Sequence, residues 1–214
     1  MKALALKQVS YDPSIFTAVE TLDDAVRIIV TPEAGLTSKY RWDTETPYLL
    51  NLIDDYLSIR SIVLDYGCGV GRLAKPIIDK HGCEVIGVDI SPNMRALAES
   101  LVNDYRFMTL PPDMLYLLRP ETCDVAIAVW VLQHTFGIRL DVDRIAKMLK
   151  PGGKLLVVNN VNRVVPTTGG WIDDGVDVRA VLNDYFTEVE YGQLSNDIAP
   201  GTFRDSTFWA VYQK

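Results

Sequence analysis

Histidine and cysteine are scarce in this chain of 214 residues, with two of the former and three of the latter. Cys68, Cys83 and Cys123 are an odd number at wide spacing, which is neither a disulfide framework nor a zinc pattern, and no metal site is expected. Each borders an apolar run, where a free thiol behaves as a small buried hydrophobe; unpaired thiols fit a reducing, cytoplasmic setting. Positive charge is also short. Lys and Arg number 21 against 28 Asp and Glu, a net charge of −7, and a field of that sign repels phosphate backbones, so nucleic acid is not an expected partner. Apolar runs stay well short of the roughly 18 residues that span a bilayer, and the opening MKALALKQVS lacks the apolar stretch of a secretion signal. No membrane partner is expected. Internal repeats and low-complexity linkers are missing too. What remains, 48% hydrophobic and 23% charged residues, is ordinary for a globular protein of one domain with a single core.

From Leu64 to Val158 short apolar runs alternate with helical patterns. SIVLDY, CEVIGVDI, YRFMTL, CDVAIAVWV and KLLVVNNV read as strands. Between them, GRLAKPIIDKHG reads as a helix with Pro76 near its first turn, SPNMRALAES has Ser91 to cap and Pro92 at the first helical position, and VDRIAKMLKPGG ends its helix at Lys150, Pro151 and Gly152. A strand as apolar as CDVAIAVWV needs cover on both faces. This rhythm gives right-handed crossovers and an α/β, doubly wound, mostly parallel sheet in a three-layer αβα arrangement. The tail breaks the rhythm: a helix near 176–184 leads into FTEVEYG and then STFWAVYQ with no crossover between them, so the seventh strand returns antiparallel. Residues 1–60 are expected to be a helical segment packed on the core formed by residues 61–214. Within that segment TPYLLNLIDDYL (46–57) is an amphipathic helix, while TLDDAVRIIV fits helix or strand.

LDYGCGVG, residues 64–71, carries three of the 14 glycines at the end of the first strand. Ligands of open parallel sheets bind at the carboxyl ends of the strands. Gly67 and Gly69 allow a tight turn and close approach of a ligand, and Gly71 opens a helix whose free N–H groups favour an anion. A dinucleotide fingerprint would place its third glycine where Arg72 stands. The acid before the glycines also argues against a diphosphate, because Asp65 would repel it but attract an ammonium. Asp89 ends the second strand 22 residues beyond Gly67, where an acid suits two ribose hydroxyls.

VLDYGCGVGRL, VIGVDISPNM, CDVAIAVWVLQHT and MLKPGGKLLVV resemble, in order, the motifs of class I S-adenosylmethionine-dependent methyltransferases of the type 11-like kind. The resemblance covers about residues 61–160 and extends loosely to the terminal hairpin. It implies the cofactor S-adenosylmethionine, with Asp65, Gly67 and Gly69 at its methionine end, Asp89 at the ribose hydroxyls and Ile90 at the adenine. Leu110 and its neighbours would close the adenine edge, where many relatives have an Asp; Asp113 of TLPPDM stands slightly late for that contact. Val129 and Trp130 would lie beside the sulfonium. KYRWDTET (39–46) is similar to segments that cover the cofactor, with Arg41 placed to pair with the methionine carboxylate.

The resemblance says little about the methyl acceptor. Transfer from a sulfonium is an in-line displacement, and an oxygen or nitrogen acceptor can call for a base. His81 lies at the wrong end of the sheet and reads as a surface residue; His134 follows the fourth strand at the ligand end and is the candidate base, with packing or capping in its turn as the alternative. Asn159, Asn160, Asn162, Trp171 and the loop 194–203 are candidate walls of an acceptor pocket, or plain strand ends and connections. The expected activity is methyl transfer to an oxygen or nitrogen of a small molecule. The alternatives are a protein or peptide methyltransferase and a non-catalytic S-adenosylmethionine-binding protein.

Overall fold

The computed structural model describes residues 10–214, so the reading of the opening residues lies outside them. Among the described residues there are nine strands: β1 (Ile62–Tyr66), β2 (Glu84–Val88), β3 (Phe107–Leu110), β4 (Cys123–Val129), β5 (Leu149–Asn160), β6 (Asn162–Thr167), β7 (Gly170–Asp177), β8 (Thr187–Gly192) and β9 (Thr207–Gln213). The α-helices are α1 (Ser14–Thr17), α2 (Leu22–Ile29), α3 (Ser38–Ile53), α4 (Ala74–His81), α5 (Pro92–Val102), α6 (Ile138–Met148), α7 (Val178–Asn183) and α8 (Thr202–Asp205). Seven strands form one sheet in the order β3-β2-β1-β4-β5-β9-β8. β1 to β5 are mutually parallel, and β9 runs antiparallel to both β5 and β8. The strand order reverses between β1 and β4, the place where open sheets of this kind bind ligands.

Alternation along the central strands explains the three layers. Leu64, Ile86, Ala126 and Leu155 pack into one buried cluster with Val142 and Ile145 of α6 and Val181 of α7. Val63, Val85, Val125 and Leu156 point the other way, into a cluster with Leu49 and Ile53 of α3 and Ile77 and Ile78 of α4. Cys68, Cys83 and Cys123 are buried free thiols.

Several elements differ from the pattern read in the sequence. The segment TLDDAVRIIV is a helix, fixed by a reciprocal cap in which Thr21 Oγ1 accepts from Asp24 N and the Asp24 carboxylate accepts from Thr21 N. α3 starts well before residue 46, at a cap formed by Thr37 Oγ1 on Tyr40 N, and runs through Pro47. The expected helix from Gly71 begins only at Ala74, because Gly71 is held in a turn by its N–H to the Cys68 carbonyl. α7 starts at Val178, where Asp177 Oδ1 accepts from Ala180 N. Before it, β6 and β7 form a separate hairpin that the sequence pattern did not disclose, because Pro166 and the paired glycines Gly169 and Gly170 interrupt the strand alternation. His81 is not a free surface residue; its Nε2 lies 2.9 Å from Asp54 Oδ1.

A strap of chain crosses the carboxyl edge of the sheet. At one end Tyr11 bridges to Thr167 of the β6–β7 hairpin and Asp12 N donates to the Pro166 carbonyl. Further along, Asn93 of α5 donates from Nδ2 to the Val19 carbonyl at 2.6 Å. No described helix is long and apolar enough to cross a membrane.

Candidate cofactor and acceptor site

The loop after β1 is bound to the end of β2. Gly67 (φ +81°) and Cys68 both donate their N–H groups to the Val88 carbonyl, and Gly69 (φ +52°) donates to Asp89 Oδ2 at 3.0 Å. Asp89 Oδ1 accepts from Ser91 N at 2.9 Å, so one carboxylate braces the glycine turn and the start of α5. A Cβ at Gly67 would stand 2.6 Å from Val131 Cγ2, and one at Gly69 2.6 Å from Ile29 Cδ1. The bare backbone is needed for this crowding as well as for the positive φ angles.

Asp65 lies beneath this turn, 4% exposed, and its Oδ2 has no hydrogen-bond partner. Burial raises its carboxyl to about 7; Arg72 opposes the shift and Asp89 adds to it. A buried carboxylate without a partner beside a glycine turn is a place for a cationic group. Asp65 is not among the residues that line the cavities described below. Burial also raises the Asp89 carboxyl.

A cavity of about 330 Å³ opens on the turn. Of the residues singled out in the sequence, Gly67, Gly69, Asp89, Ile90, Val129, Trp130 and His134 line it together. Leu110 does not; its carbonyl accepts from Asp89 N at 3.2 Å, and Pro112 takes the place on the wall. Asp113 is exposed and outside the cavity. The lining also includes Phe16, Ile28 and Ile29 from the strap, whose apolar residues gave no sequence signal beyond helix packing, Tyr66, which lies within the glycine motif but was assigned no role, and Asp141 and Arg144, which no motif marks.

Trp130, at φ +56°, directly follows β4 in a left-handed conformation. Its Nε1 donates to Glu45 Oε1 at 2.7 Å. Glu45 is fully buried and also accepts from Arg72 Nη2 at 3.0 Å and Arg41 Nη2 at 3.1 Å. Arg41 further donates to the Thr31 carbonyl and lies over the rings of Trp130 and Phe203, at 5.7 and 5.2 Å from their centroids. Its remaining Nε and the Nη1 of Arg72 are buried without partners. Arg41 thus faces a second cavity, of about 440 Å³, rather than the first.

The two cavities share Phe16, Ile28, Ile29, Trp130 and His134. The second adds Gln133, Asn160, Trp171 and Phe203. Asn159 is buried and structural, its Oδ1 accepting from Gln133 N, while Asn162 pairs with Asp173 on the hairpin. Of the loop 194–203 only Phe203 reaches the cavity; Leu194, Ile198 and Ala199 are core.

His134 sits between the cavities against Trp171 and Phe16, with ring centroids 4.8 and 5.7 Å away. Its Nδ1 is 2.7 Å from the Val164 carbonyl, which only accepts, so Nδ1 carries the proton. Nε2 then accepts from the Gln133 amide at 2.9 Å. Burial lowers its pKa to about 4. The ring is neutral at pH 7, but it is a weak base with both nitrogens occupied.

A reversed-strand sheet of this order, with a glycine turn after β1 and a carboxylate after β2, defines the class I S-adenosylmethionine-dependent methyltransferase fold. Residues 64–157 match the family model described as Methyltransferase domain. Over 108 residues it is 38% identical to the ubiquinone biosynthesis O-methyltransferase of Bradyrhizobium diazoefficiens, a stretch that is 47% of this chain and 40% of that relative. The chain therefore spans about two-fifths of that relative's length. Among solved structures, the N-methyltransferase NodS of Bradyrhizobium japonicum in complex with S-adenosyl-L-homocysteine superposes with a TM-score of 0.63 at 19% identity, covering 89% of this chain and 96% of that one. The [4+2]-cyclase SpnF superposes equally well, with a TM-score of 0.63 at 17% identity over 78% of this chain and 79% of that one. Likeness at these identities is a likeness of fold, and the fold serves more than one reaction.

Proposed function

We propose that the chain is an S-adenosylmethionine-dependent methyltransferase acting on an oxygen or nitrogen atom of a small-molecule acceptor. The observation that carries this reading is the partnerless, buried Oδ2 of Asp65 just before the Gly67–Gly69 turn; Asp65 itself does not line the cavity, but Gly67, Gly69 and Asp89 line it together, and that cavity adjoins a second one. The similarity to a ubiquinone biosynthesis O-methyltransferase supports an oxygen acceptor.

Bound in the first cavity, the cofactor supplies an electrophilic methyl group on a sulfonium. Asp65 would neutralise its ammonium, Asp89 would accept from its ribose hydroxyls, and Val129 and Trp130 would wall its sulfonium end. Trp130 and His134 line both cavities, and in the second one Phe16, Trp171 and Phe203 would offer apolar surface to the acceptor. The strap carrying Phe16, Ile28 and Ile29 excludes water from both. His134 contributes shape and a fixed neutral ring, and the work of the site is positioning.

Calorimetry with S-adenosylhomocysteine and NAD, followed by transfer of radiolabelled methyl to a panel of phenols and amines, tests the proposal. Binding of the first ligand alone and labelling of at least one small acceptor are expected. Binding of NAD in its place sinks the cofactor assignment; cofactor binding with no labelling of any small acceptor sinks the activity.

A further inference from the structure

The lining of the first cavity carries polar chemistry that the proposed transfer does not use. Asp141, in the first turn of α6, lines the cavity at 9% exposure. Its Oδ1 accepts from the Tyr66 hydroxyl at 2.6 Å and from Arg144 Nη1 at 3.0 Å. No described residue donates to its Oδ2. Tyr66 is itself buried at the end of β1, directly after Asp65, so the carboxylate is held in place from the strand and from its own helix. Ile90, Pro112, Val131 and Leu140 line the same cavity with apolar surface.

Apolar walls and a fixed acceptor therefore line one cavity together with Asp89 and Ile90. With the ribose hydroxyls on Asp89, as proposed above, a base attached to that ribose would lie beside Ile90, which follows Asp89 in the chain. A flat base would satisfy the apolar walls and present its polar edge to the polar groups among them. The two groups there are a carboxylate oxygen, which only accepts, and a guanidinium with N–H groups to spare beyond the one given to Asp141. Adenine presents a matching edge, a 6-amino donor beside a ring-nitrogen acceptor. Asp113, the acid that sequence position suggested for this contact, is exposed and absent from the lining.

We propose that Asp141, held by Tyr66 and Arg144, accepts the hydrogen bond from the 6-amino group of the cofactor's adenine and so replaces the acid that relatives carry after β3. This rests on the S-adenosylmethionine reading of the cavity. The plain alternative is that the Tyr66–Asp141–Arg144 cluster only fastens α6 to β1.

The test compares S-adenosylhomocysteine with its analogue lacking the 6-amino group, by calorimetry, on the wild-type chain and on Asp141→Ala. Wild type should bind the amino compound about tenfold or more tighter, the usual size of a hydrogen bond to a charged group, and Asp141→Ala should bind the two about equally. Should the alanine variant fail to fold, Asp141→Asn keeps the volume and should narrow the ratio. Equal weakening of both ligands in the variant, or no preference in wild type, overturns the adenine contact while leaving the cofactor assignment standing. Failure of S-adenosylhomocysteine to bind wild type at all overturns both.

Discussion

The indole of Trp130 and the carboxylate of Glu45, 85 residues apart in the chain, are joined by a 2.7 Å hydrogen bond. It ties the leading helix α3 to the end of β4, where the two cavities meet. Glu45 is fully buried and also receives Arg41 and Arg72, so among the described residues it is the one carboxylate paired with both of these buried guanidiniums. Removing one member of such a group leaves uncompensated charge in the interior. Glu45→Ala should lower stability by about 3–5 kcal/mol, measured by denaturant unfolding, and Glu45→Gln should cost less because the amide oxygen still accepts from Trp130. A loss within experimental error for the alanine variant would show that water reaches the guanidiniums.

With Asp65 facing the cofactor's ammonium, as proposed, binding should depend on pH with a definite sign. Its carboxyl is raised to about 7 in the free protein, so it is protonated below that pH. A bound ammonium favours the ionised form and pulls the value down. Affinity for S-adenosylhomocysteine should therefore rise as pH rises from about 5 to about 7, with a proton released on binding below 7. Calorimetry in buffers of different ionisation enthalpy counts that proton, and Asp65→Asn should abolish the slope. A pH-independent affinity in the wild type would place the ammonium elsewhere.

Asp89 should matter to ligand and to loop alike. Asp89→Ala removes an acceptor for the ribose hydroxyls and also the brace on Gly69 N and Ser91 N. Charged hydrogen bonds are worth roughly 1.5–3 kcal/mol each, so cofactor affinity should fall by at least about tenfold while circular dichroism shows the fold retained. Unchanged affinity would mean that the ribose does not lie at the end of β2.

How much of this was legible in the sequence follows from how local each signal is. The apolar runs of β1, β2 and β4 and the cap at Ser91 are short-range patterns, and they appear where the pattern puts them. Gly67, Gly69, Asp89 and Trp130 converge because strand ends in a parallel sheet share one edge. The β6–β7 hairpin escaped because Pro166 and four glycine or threonine residues imitate a loop. Tyr66 and Asp141 escaped because their contact joins a strand to a helix 75 residues later, and nothing in either segment records the other. Arg41 shows the same limit: a cation before a leading helix suggests a ligand carboxylate, yet the nearest anion is Glu45, one helical turn away.

His134 separates a mechanism of positioning from one that uses a base. Its Nδ1–H is given to the Val164 carbonyl, its Nε2 accepts from Gln133, and burial holds its pKa at about 4. A general base typically contributes about 10²–10⁴-fold, so His134→Ala should cost far less than that in kcat once an acceptor is in hand, within about tenfold. It should instead cost stability, because the Val164 bond and the contact with Trp171 are lost. The pH dependence of unfolding carries the same information with no acceptor needed. The unfolded histidine takes a proton near 6.5 and the folded one only near 4. Between those values the unfolded state binds more protons, so this residue makes stability fall as pH drops from about 6.5 toward 4. His134→Phe should remove that component while keeping the packing against Phe16 and Trp171. A loss of more than about a hundredfold in kcat, with unfolding unchanged in midpoint and pH dependence, would restore His134 as the base and overturn positioning as the whole of the mechanism.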